Sequence, residues 1–182
     1  MGPVTPVGGP WSDTAMADSE ASISATDRVR RELTAAGVTA EVRRLDSSAR
    51  TAALAAEQLG VEVGAIANSL VFVADGEPLL VMTSGAHRVD TARVARTIGA
   101  QRIDRADPDF VRRHTGQTIG GVAPVGHPER LRTLVDVALA DHPRLWAAAG
   151  HPHTVFPTTY DELLGITGGT ATVVASDGPA PS

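Results

Sequence analysis

The chain has 182 residues and a formal net charge of −5, with 42% hydrophobic and only 3% aromatic residues. This length predicts one domain, whose core is built from Val, Leu, Ile and Ala rather than from aromatic rings. Cysteine is absent, which excludes disulfides, thiol nucleophiles and cysteine-ligated metals. The acidic balance argues against a protein that coats nucleic acid by charge alone, and we expect no DNA partner.

All 16 basic residues are arginine, so the chain contains no lysine. A lysine Schiff base, a lysine general base and a lysine phosphate clamp are therefore impossible. No apolar run is long enough to span a membrane. The N-terminus lacks the basic and apolar regions of a secretory signal, so we expect a cytoplasmic protein with no membrane partner.

The composition divides the chain into three parts. Residues 1–24 are rich in Pro, Gly, Ser, Asp and Ala, which predicts a disordered N-terminal tail. Residues 25–175 form the single ordered domain, and residues 176–182 are predicted to be a flexible C-terminal tail. Within the domain, a first helix is expected to begin at Thr26 or Asp27 and to end at Gly37.

The next elements follow from alternation and turn signals. A strand is predicted over 39–45, and a second helix is predicted to be capped by Ser48 and to end at Gly60. Residues 66–74 and 78–83 read as two strands joined by a tight Asp75-Gly76 turn.

The second half alternates in the same way. A third helix is expected between Asp90 and Gly99, then a short strand over 101–104, then a fourth helix from Asp107 to Gly116 with a proline at its first position. The last elements are strands over 131–137, 145–149 and 154–156, a helix capped by Thr158 or Thr159, and a final strand or poorly ordered end over 171–175.

The interleaving of strands and helices, with several strands joined by tight turns, favours a particular fold class. It predicts an α/β mixed (α+β) fold, in which a mixed, partly barrel-like sheet has surrounding helices. No glycine-rich nucleotide motif follows a strand, which disfavours a doubly wound nucleotide-binding fold.

The segment 115–126 is rich in glycine where a strand should run. Gly120 and Gly121 allow close backbone approach or a positive φ, and Pro124 fixes the exit of the turn. One interpretation is a rigid loop whose bare backbone groups bind a small polar ligand or a transition-state oxyanion. The alternative is a strand with a bulge and a tight turn.

Histidines and one carboxylate are further candidates. His151 follows Gly150, which indicates a polar pocket residue, and no carboxylate stands at metal-ligand spacing from His151 and His153. We therefore expect no metal. Asp136 lies in an apolar run, so it is either buried and paired, or aimed into a cleft, or a helix cap.

Two other readings concern serine and arginine. Neither Ser69 nor Ser84 lies in a G-x-S-x-G frame, which disfavours a serine hydrolase. Four arginines flank the glycine-rich segment and either solvate a surface or contact a phosphodiester backbone; they are Arg112, Arg113, Arg130 and Arg132.

Five features in order carry a resemblance: IANSLVF at 66–72, the segment 90–99, TGQTIGGVAP at 115–124, Asp136, and AGH at 149–151. Together they resemble the YbaK/EbsC family and the editing insertion domain of bacterial prolyl-tRNA synthetases, over about residues 27–173. The resemblance implies a mixed α/β fold and an aminoacyl-tRNA deacylase that acts in trans. Its substrate would be the 3′ end of mischarged tRNA, typically tRNA for proline carrying a small amino acid, with prolyl-tRNA synthetase as a further partner and with no metal or cofactor.

The resemblance also implies a site. Residues 120–124 fall on the family's Gly-x-x-x-Pro loop, which holds the aminoacyl end, and hydrolysis is expected to use a positioned water and the terminal hydroxyl of the tRNA. The expected catalytic residues are Asn68, Gly120 and Gly121. The expected substrate-binding residues are Ser69, Val122, Pro124, Asp136, Gly150 and His151.

One position departs from the family. The strand motif usually reads Ile-x-Lys-Ser/Thr-Leu, whereas this chain has Asn68 at the lysine position. Asparagine can form hydrogen bonds but contributes no charge. Two hypotheses follow: an active deacylase with altered amino-acid specificity, which we favour, or a non-catalytic module that binds a tRNA end or a small ligand.

Overall fold

The computed structural model describes residues 25–176. The predicted tails over 1–24 and 177–182 lie outside the described residues. Ser176, the first residue of the predicted C-terminal tail, donates a hydrogen bond from Oγ to Oδ2 of Asp90 at 2.6 Å.

Five helices and eight strands make up the described chain. The helices are α1 (residues 25–35), α2 (Ala52–Leu59), α3 (Thr91–Ile98), α4 (Pro108–Thr115) and α5 (Tyr160–Thr167). The strands are β1 (Arg43–Arg44), β2 (Ile66–Ala74), β3 (Glu77–Ser84), β4 (Ile103–Arg105), β5 (Arg132–Asp136), β6 (Leu145–Ala148), β7 (Thr154–Thr158) and β8 (Thr170–Thr172).

Three of the predicted helix caps are confirmed. The side chains of Asp90, Asp107 and Thr159 each accept a hydrogen bond from the backbone N–H three residues later. This contact satisfies a donor that the first turn of a helix leaves without a partner. The left-handed φ of 72° at Gly99 and of 68° at Gly116 likewise confirms the predicted ends of α3 and α4.

The prediction that Ser48 caps the second helix is wrong. The cap is Thr51, whose Oγ accepts a hydrogen bond from the N–H of Leu54 at 3.2 Å. Residues 45–49 instead run along the segment at 152–153, where the N–H of Ala49 donates to the Pro152 carbonyl oxygen at 2.9 Å. Because this contact keeps the chain out of the helix until residue 51, the Ser48 hydroxyl is buried without a partner among the described residues.

Two predicted strands are shorter or shifted. The strand expected over 39–45 is reduced to Arg43–Arg44, which pairs with β7. The strand expected over 101–104 lies at Ile103–Arg105, because Asp75 accepts hydrogen bonds from the N–H groups of Gln101 and Arg102. These two residues therefore belong to the turn beside the β2–β3 hairpin.

The strands form one mixed sheet in the order β1-β7-β6-β2-β3-β5-β8, with β4 also paired to β2. The β2–β3 hairpin turns through Asp75 and Gly76, whose φ values of 48° and 86° fit a type I′ turn. Pairs β2–β6, β3–β5 and β5–β8 are parallel, and the others are antiparallel. The expected mixed α/β fold is confirmed, and within residues 25–176 the end strands β1 and β8 do not pair with each other.

Both faces of the sheet are covered by helices. Leu80 and Met82 of β3 pack with residues of α1, α4 and α5 on one face. Leu79 and Val81 alternate to the other face and pack with α3. At the start of β2, Ile66 lies on this second face and packs against α2.

One edge of β2 is interrupted. Strand β6 pairs with Ile66 and Ala67, and β4 pairs with residues 72–74 on the same edge, since β3 occupies the opposite edge. Residues 68–71 therefore have no strand partner on that edge within the described chain. The gap leaves the Asn68 end of β2 accessible from the side.

Candidate active site

A pocket opens where β6 diverges from β2. Its cavity volume is about 30 Å³, which is room for a water molecule or a small polar group. Five elements line it: the start of α2, the start of β2, strands β6 and β7, and the glycine-rich loop. The lining residues include Arg50, Thr51, Asn68, Ser69, Gly120, Val122, Trp146, Pro152 and Thr154.

Asn68 lies opposite Thr83 of β3 and presents its side chain to this pocket. Its amide makes no hydrogen bond with any residue in 25–176, so both the amide oxygen and the NH₂ group are available to a ligand. Ser69 alternates to the other face, where its Oγ donates a hydrogen bond to Sδ of Met82 at 3.2 Å.

The glycine-rich loop passes very close to the chain at 151–152. Gly120 has a φ of +86°, and a Cβ on Gly121 would lie 2.5 Å from the carbonyl carbon of His151 and from the nitrogen of Pro152. Real Cβ atoms do not approach backbone atoms this closely. Glycine is therefore required at 121 by close approach and at 120 by conformation.

Gln117 holds the loop from inside, a role that the sequence analysis missed. Its side chain is 3% exposed, accepts a hydrogen bond from the N–H of Ala123 at 2.7 Å and donates one to the carbonyl oxygen of Val125 at 3.1 Å. On the other side of the loop, Nε2 of His127 lies 2.8 Å from the carbonyl oxygen of Ala123. The sequence did contain a signal for this role. Gln117, whose side-chain amide can both donate and accept hydrogen bonds, directly follows Gly116, the glycine that ends α4.

Along residues 120–123 of the loop, backbone N–H groups without a hydrogen-bond partner among residues 25–176 alternate with groups that have one. Gly121 donates to the carbonyl oxygen of Thr118 at 2.9 Å, and Ala123 donates to Gln117. The N–H groups of Gly120 and Val122, both lining residues, have no partner among residues 25–176. Two donors on a fixed loop are suited to stabilising a negative oxygen that develops during a reaction.

Residues 46–166 match the family model of the aminoacyl-tRNA editing domain. The chain belongs to the aminoacyl-tRNA editing domain family. The expected relationship to YbaK-type proteins and to the editing domains of prolyl-tRNA synthetases is thereby confirmed.

Individual relatives agree with this assignment of an editing domain. The uncharacterised protein YwhH of Bacillus subtilis is 30% identical over 124 residues, which cover 68% of this chain and 78% of YwhH. The proline–tRNA ligase of Levilactobacillus brevis is 29% identical over 86 residues, which cover 47% of this chain but 15% of the ligase. A solved structure of a proposed trans-editing enzyme for prolyl-tRNA synthetase is 38% identical, with a TM-score of 0.79 over 84% of this chain and 97% of its own.

Asp136 lies behind the pocket of the editing domain and is not among its lining residues. It is 1% exposed. Its carboxylate accepts hydrogen bonds at 3.0 Å from the N–H groups of Ser84 and Ala138, and lies 3.0 Å from Nδ1 of His87. The carboxylate is thus both buried with partners and the cap of the short 3₁₀ helix Val137–Asp141, while the sequence analysis missed its partner His87.

His151 lies just outside the lining, next to Pro152. Its Nδ1 accepts a hydrogen bond from the N–H of His153 at 3.2 Å, which leaves the ring proton on Nε2 in the neutral form. Burial, together with the nearby His153 and Arg44, lowers the pKa of His151 below its ordinary value. The imidazole is therefore neutral at pH 7.

The other expected site residues are separated from the pocket. Pro124 lines a different cleft, beside His127 and Ile166. Gly150, with a φ of +98°, packs against the backbone of Ala25 at the start of α1. The structure thus brings Asn68, Ser69, Gly120 and Val122 together, with Gly121 and His151 directly behind them.

The pocket lining is almost free of ionisable groups. Arg50 is its one charged residue within the described chain, and no Asp, Glu or His side chain lines it. Within residues 25–176, no three His, Asp or Glu side chains cluster closely enough to hold a metal ion. In the same range, no helix has the length and apolar character needed to cross a membrane.

Proposed function

We propose that this editing domain is a trans-acting aminoacyl-tRNA deacylase that hydrolyses the ester of mischarged tRNA. Its substrate is tRNA for proline carrying a small amino acid. The observation that carries the proposal is that Asn68, Gly120 and Val122 line one small pocket, while the Asn68 amide and the N–H groups of Gly120 and Val122 have no partner within residues 25–176. The solved relative proposed as a trans-editing enzyme supports the reaction class.

The geometry suits hydrolysis by a positioned water. Water attacks the ester carbonyl carbon, and the resulting oxyanion accepts hydrogen bonds from the N–H groups of Gly120 and Val122. Collapse breaks the bond to the ribose oxygen, which receives the proton that the water loses. The products are the free amino acid and a tRNA with a free terminal hydroxyl, and Asn68 orients the carbonyl or the amine of the substrate by hydrogen bonding.

Amino-acid size is restricted by the walls of the pocket. The floor is formed by buried small and apolar residues, and the free volume is about 30 Å³. Trp146 and Val155 also line the pocket, so a large side chain requires more rearrangement of these walls than a small one. This restriction supports a small amino acid as the group removed.

The proposal also includes delivery of the mischarged tRNA by prolyl-tRNA synthetase. A net charge of −5 predicts modest affinity for tRNA alone, so handover from prolyl-tRNA synthetase increases the effective supply of substrate. The similarity to segments of proline–tRNA ligases supports this partner.

The decisive test is hydrolysis of alanyl-, cysteinyl- and seryl-tRNA for proline by the wild type and by Asn68→Ala. Release of one amino acid, slowed about tenfold or more by the substitution, is expected from the loss of an orienting hydrogen bond in a closed site. Asn68→Asp keeps the size but removes the donor, and Gln101→Ala removes an exposed amide far from the pocket. Equal rates of hydrolysis for all four proteins would show that the Asn68 side chain takes no part in the reaction.

A non-catalytic binding module is the second candidate, and one observation favours it. Asn68 occupies the position at which the family usually has a lysine, so the pocket lacks a cation there. This candidate predicts that the wild type binds the tRNA end without releasing amino acid. Gain of hydrolysis in Asn68→Lys, starting from an inactive wild type, would identify the lost lysine as the cause.

A further inference from the structure

Arg50 lies at the mouth of the pocket. It precedes Thr51, the cap of α2, and it is an exposed lining residue. A Cβ on Gly120 would lie 3.3 Å from Cα of Arg50, so Arg50 is directly beside the loop that carries the unpartnered N–H groups. The positive end of the α2 dipole faces the same pocket, because Thr51 and Ala52 also line it.

A further arginine lies on the same side. Arg43 of β1 pairs with Val155 of β7, which lines the pocket. The guanidinium carbon of Arg43 lies 4.9 Å from the ring centre of Trp146, another lining residue. We call Arg43 and Arg50 the cationic rim.

The cationic rim has no ion-pair partner within residues 25–176. By contrast, Arg30 pairs with Asp27 at 3.3 Å and Arg102 pairs with Asp104 at 2.7 Å. Two exposed arginines beside one opening, in a chain whose net charge is −5, concentrate positive potential where an anion would approach the pocket.

We propose that the cationic rim binds the phosphodiester groups at the 3′ end of tRNA, with Arg50 on the phosphate of the terminal nucleotide. This inference rests on the proposed function, because an ester held in the pocket fixes the position of its own nucleotide. The ester is carried by the terminal ribose, so the nearest phosphate is one sugar away, at the mouth. Arg50 thereby supplies, from the segment just before α2, a positive charge that residue 68 does not provide.

The groove at the other end of the sheet is less suited to this role. Arg113, Arg130 and Arg132 line it, but so do Glu77 and Glu129. The C-terminal ends of α3 and α4 also face it, and their dipoles repel anions. Ala74, which lines this groove, is six residues along β2 from Asn68, about 20 Å away.

The test measures binding of an uncharged RNA hairpin that ends in CCA with a free 3′ hydroxyl and carries a 5′ fluorophore. Fluorescence anisotropy is recorded over a range of salt concentrations for the wild type, Arg50→Gln, Arg43→Gln and the distant control Arg132→Gln. Arg50→Gln is expected to weaken binding about tenfold at low salt, because it removes a charge-assisted contact. It should also reduce the slope of log affinity against log salt by about 0.7, the value for one phosphate contact on a single strand.

Defined outcomes would overturn the inference. They are wild-type affinity in both Arg50→Gln and Arg43→Gln, an equal loss in Arg132→Gln, or no measurable binding by the wild type. All three arginines are exposed, so the variants are expected to fold, and circular dichroism checks this.

The same variants test phosphate binding by the cationic rim independently of the proposed deacylation. If deacylation occurs, Arg50→Gln should raise KM and leave kcat nearly unchanged. RNA binding that depends on Arg50, without any hydrolysis, would support phosphate binding by the cationic rim and contradict the deacylase activity. Hydrolysis with an unchanged KM in Arg50→Gln would support the deacylase activity and contradict phosphate binding by the cationic rim.

Discussion

Oε1 of Gln117 accepts a hydrogen bond from the N–H of Ala123 at 2.7 Å, so one buried side chain fixes the loop just beyond the pocket. Nε2 of the same side-chain amide donates a hydrogen bond to the carbonyl oxygen of Val125. The same loop contains Gly120 and Val122, which line the pocket, and the two contacts of Gln117 limit how far this loop can move. Preorganisation of this kind is what makes a donor effective in stabilising a transition state.

Gln117→Ala is expected to lower the free energy of unfolding by about 2–3 kcal/mol, because two buried backbone groups lose their partners. It should also reduce deacylation, since the loop loses its support. Urea unfolding and the rate of amino-acid release measure the two effects. Gln58→Ala is the matched control: its amide also bridges two backbone groups, both of Ser47, but in a more exposed place.

A second variant of Gln117 isolates the donor. Gln117→Glu preserves the size and the acceptor for Ala123 but turns an oxygen towards the carbonyl of Val125. We expect a loss of stability as large as that of Gln117→Ala. Wild-type stability in Gln117→Glu would contradict the assigned hydrogen bonds.

Gly121→Ala tests the close approach of the loop to residues 151–152. The added Cβ would lie 2.5 Å from backbone atoms, so one of the two segments must move, at a cost of about 1–3 kcal/mol or more. Thermal unfolding should show this loss together with lost turnover. Gly165→Ala is the control: a Cβ there meets nothing within 4 Å, and alanine in α5 should stabilise by about 0.5–1 kcal/mol.

Wild-type stability with lost turnover in Gly121→Ala would show instead that residue 121 acts on the substrate alone. The sequence analysis left the structural and the functional interpretation of this glycine open. The contact with His151 and Pro152 now favours a structural contribution at Gly121, whereas Gly120 and Val122 provide the unpartnered donors.

Signals confined to a few neighbouring residues predicted the fold well. The Asp75-Gly76 turn and the caps Asp90 and Asp107 were all identified, since each depends on short-range geometry. The cap of α2 was wrong because Ser48 and Thr51 are both good caps, and the choice between them is made by a contact with Pro152, about 100 residues away.

The site was predictable only in part, for the same reason. Asn68 and the glycine pair stand out in the sequence by type and position. The pairing of Asp136 with His87 joins residues separated by 49 positions, and the approach of Arg50 to Gly120 joins the segment before α2 to a loop far along the chain. Such contacts depend on the tertiary fold, and no local pattern specifies them.

Asp136→Asn should mainly destabilise the protein. The carboxylate accepts hydrogen bonds from the Ser84 and Ala138 N–H groups and from the Thr83 hydroxyl, and an amide NH₂ would face some of these donors. We expect a loss of about 2–4 kcal/mol in urea unfolding, with Asp46→Asn, at an exposed position, as the control. Loss of turnover at unchanged stability would restore Asp136 to the substrate-binding residues.

Acidification should destabilise the loop through His127. Burial lowers the pKa of His127 below its ordinary value of 6.5, although the hydrogen bond to the Ala123 carbonyl opposes this shift. The unfolded chain therefore binds a proton more readily than the folded chain, so this contribution to stability is complete above about pH 6.5 and is lost as the pH falls through the folded-state pKa. His151 shifts in the same direction.

Urea unfolding between pH 7.5 and 5.5 measures the effect. Each histidine contributes a slope of at most about 1.4 kcal/mol per pH unit. His127→Gln retains an N–H donor for the Ala123 carbonyl but does not titrate, so its stability should fall less steeply with acid than that of the wild type. His151→Gln should flatten the slope independently, and identical slopes in all three proteins would show that neither ring is held in its neutral form by folding.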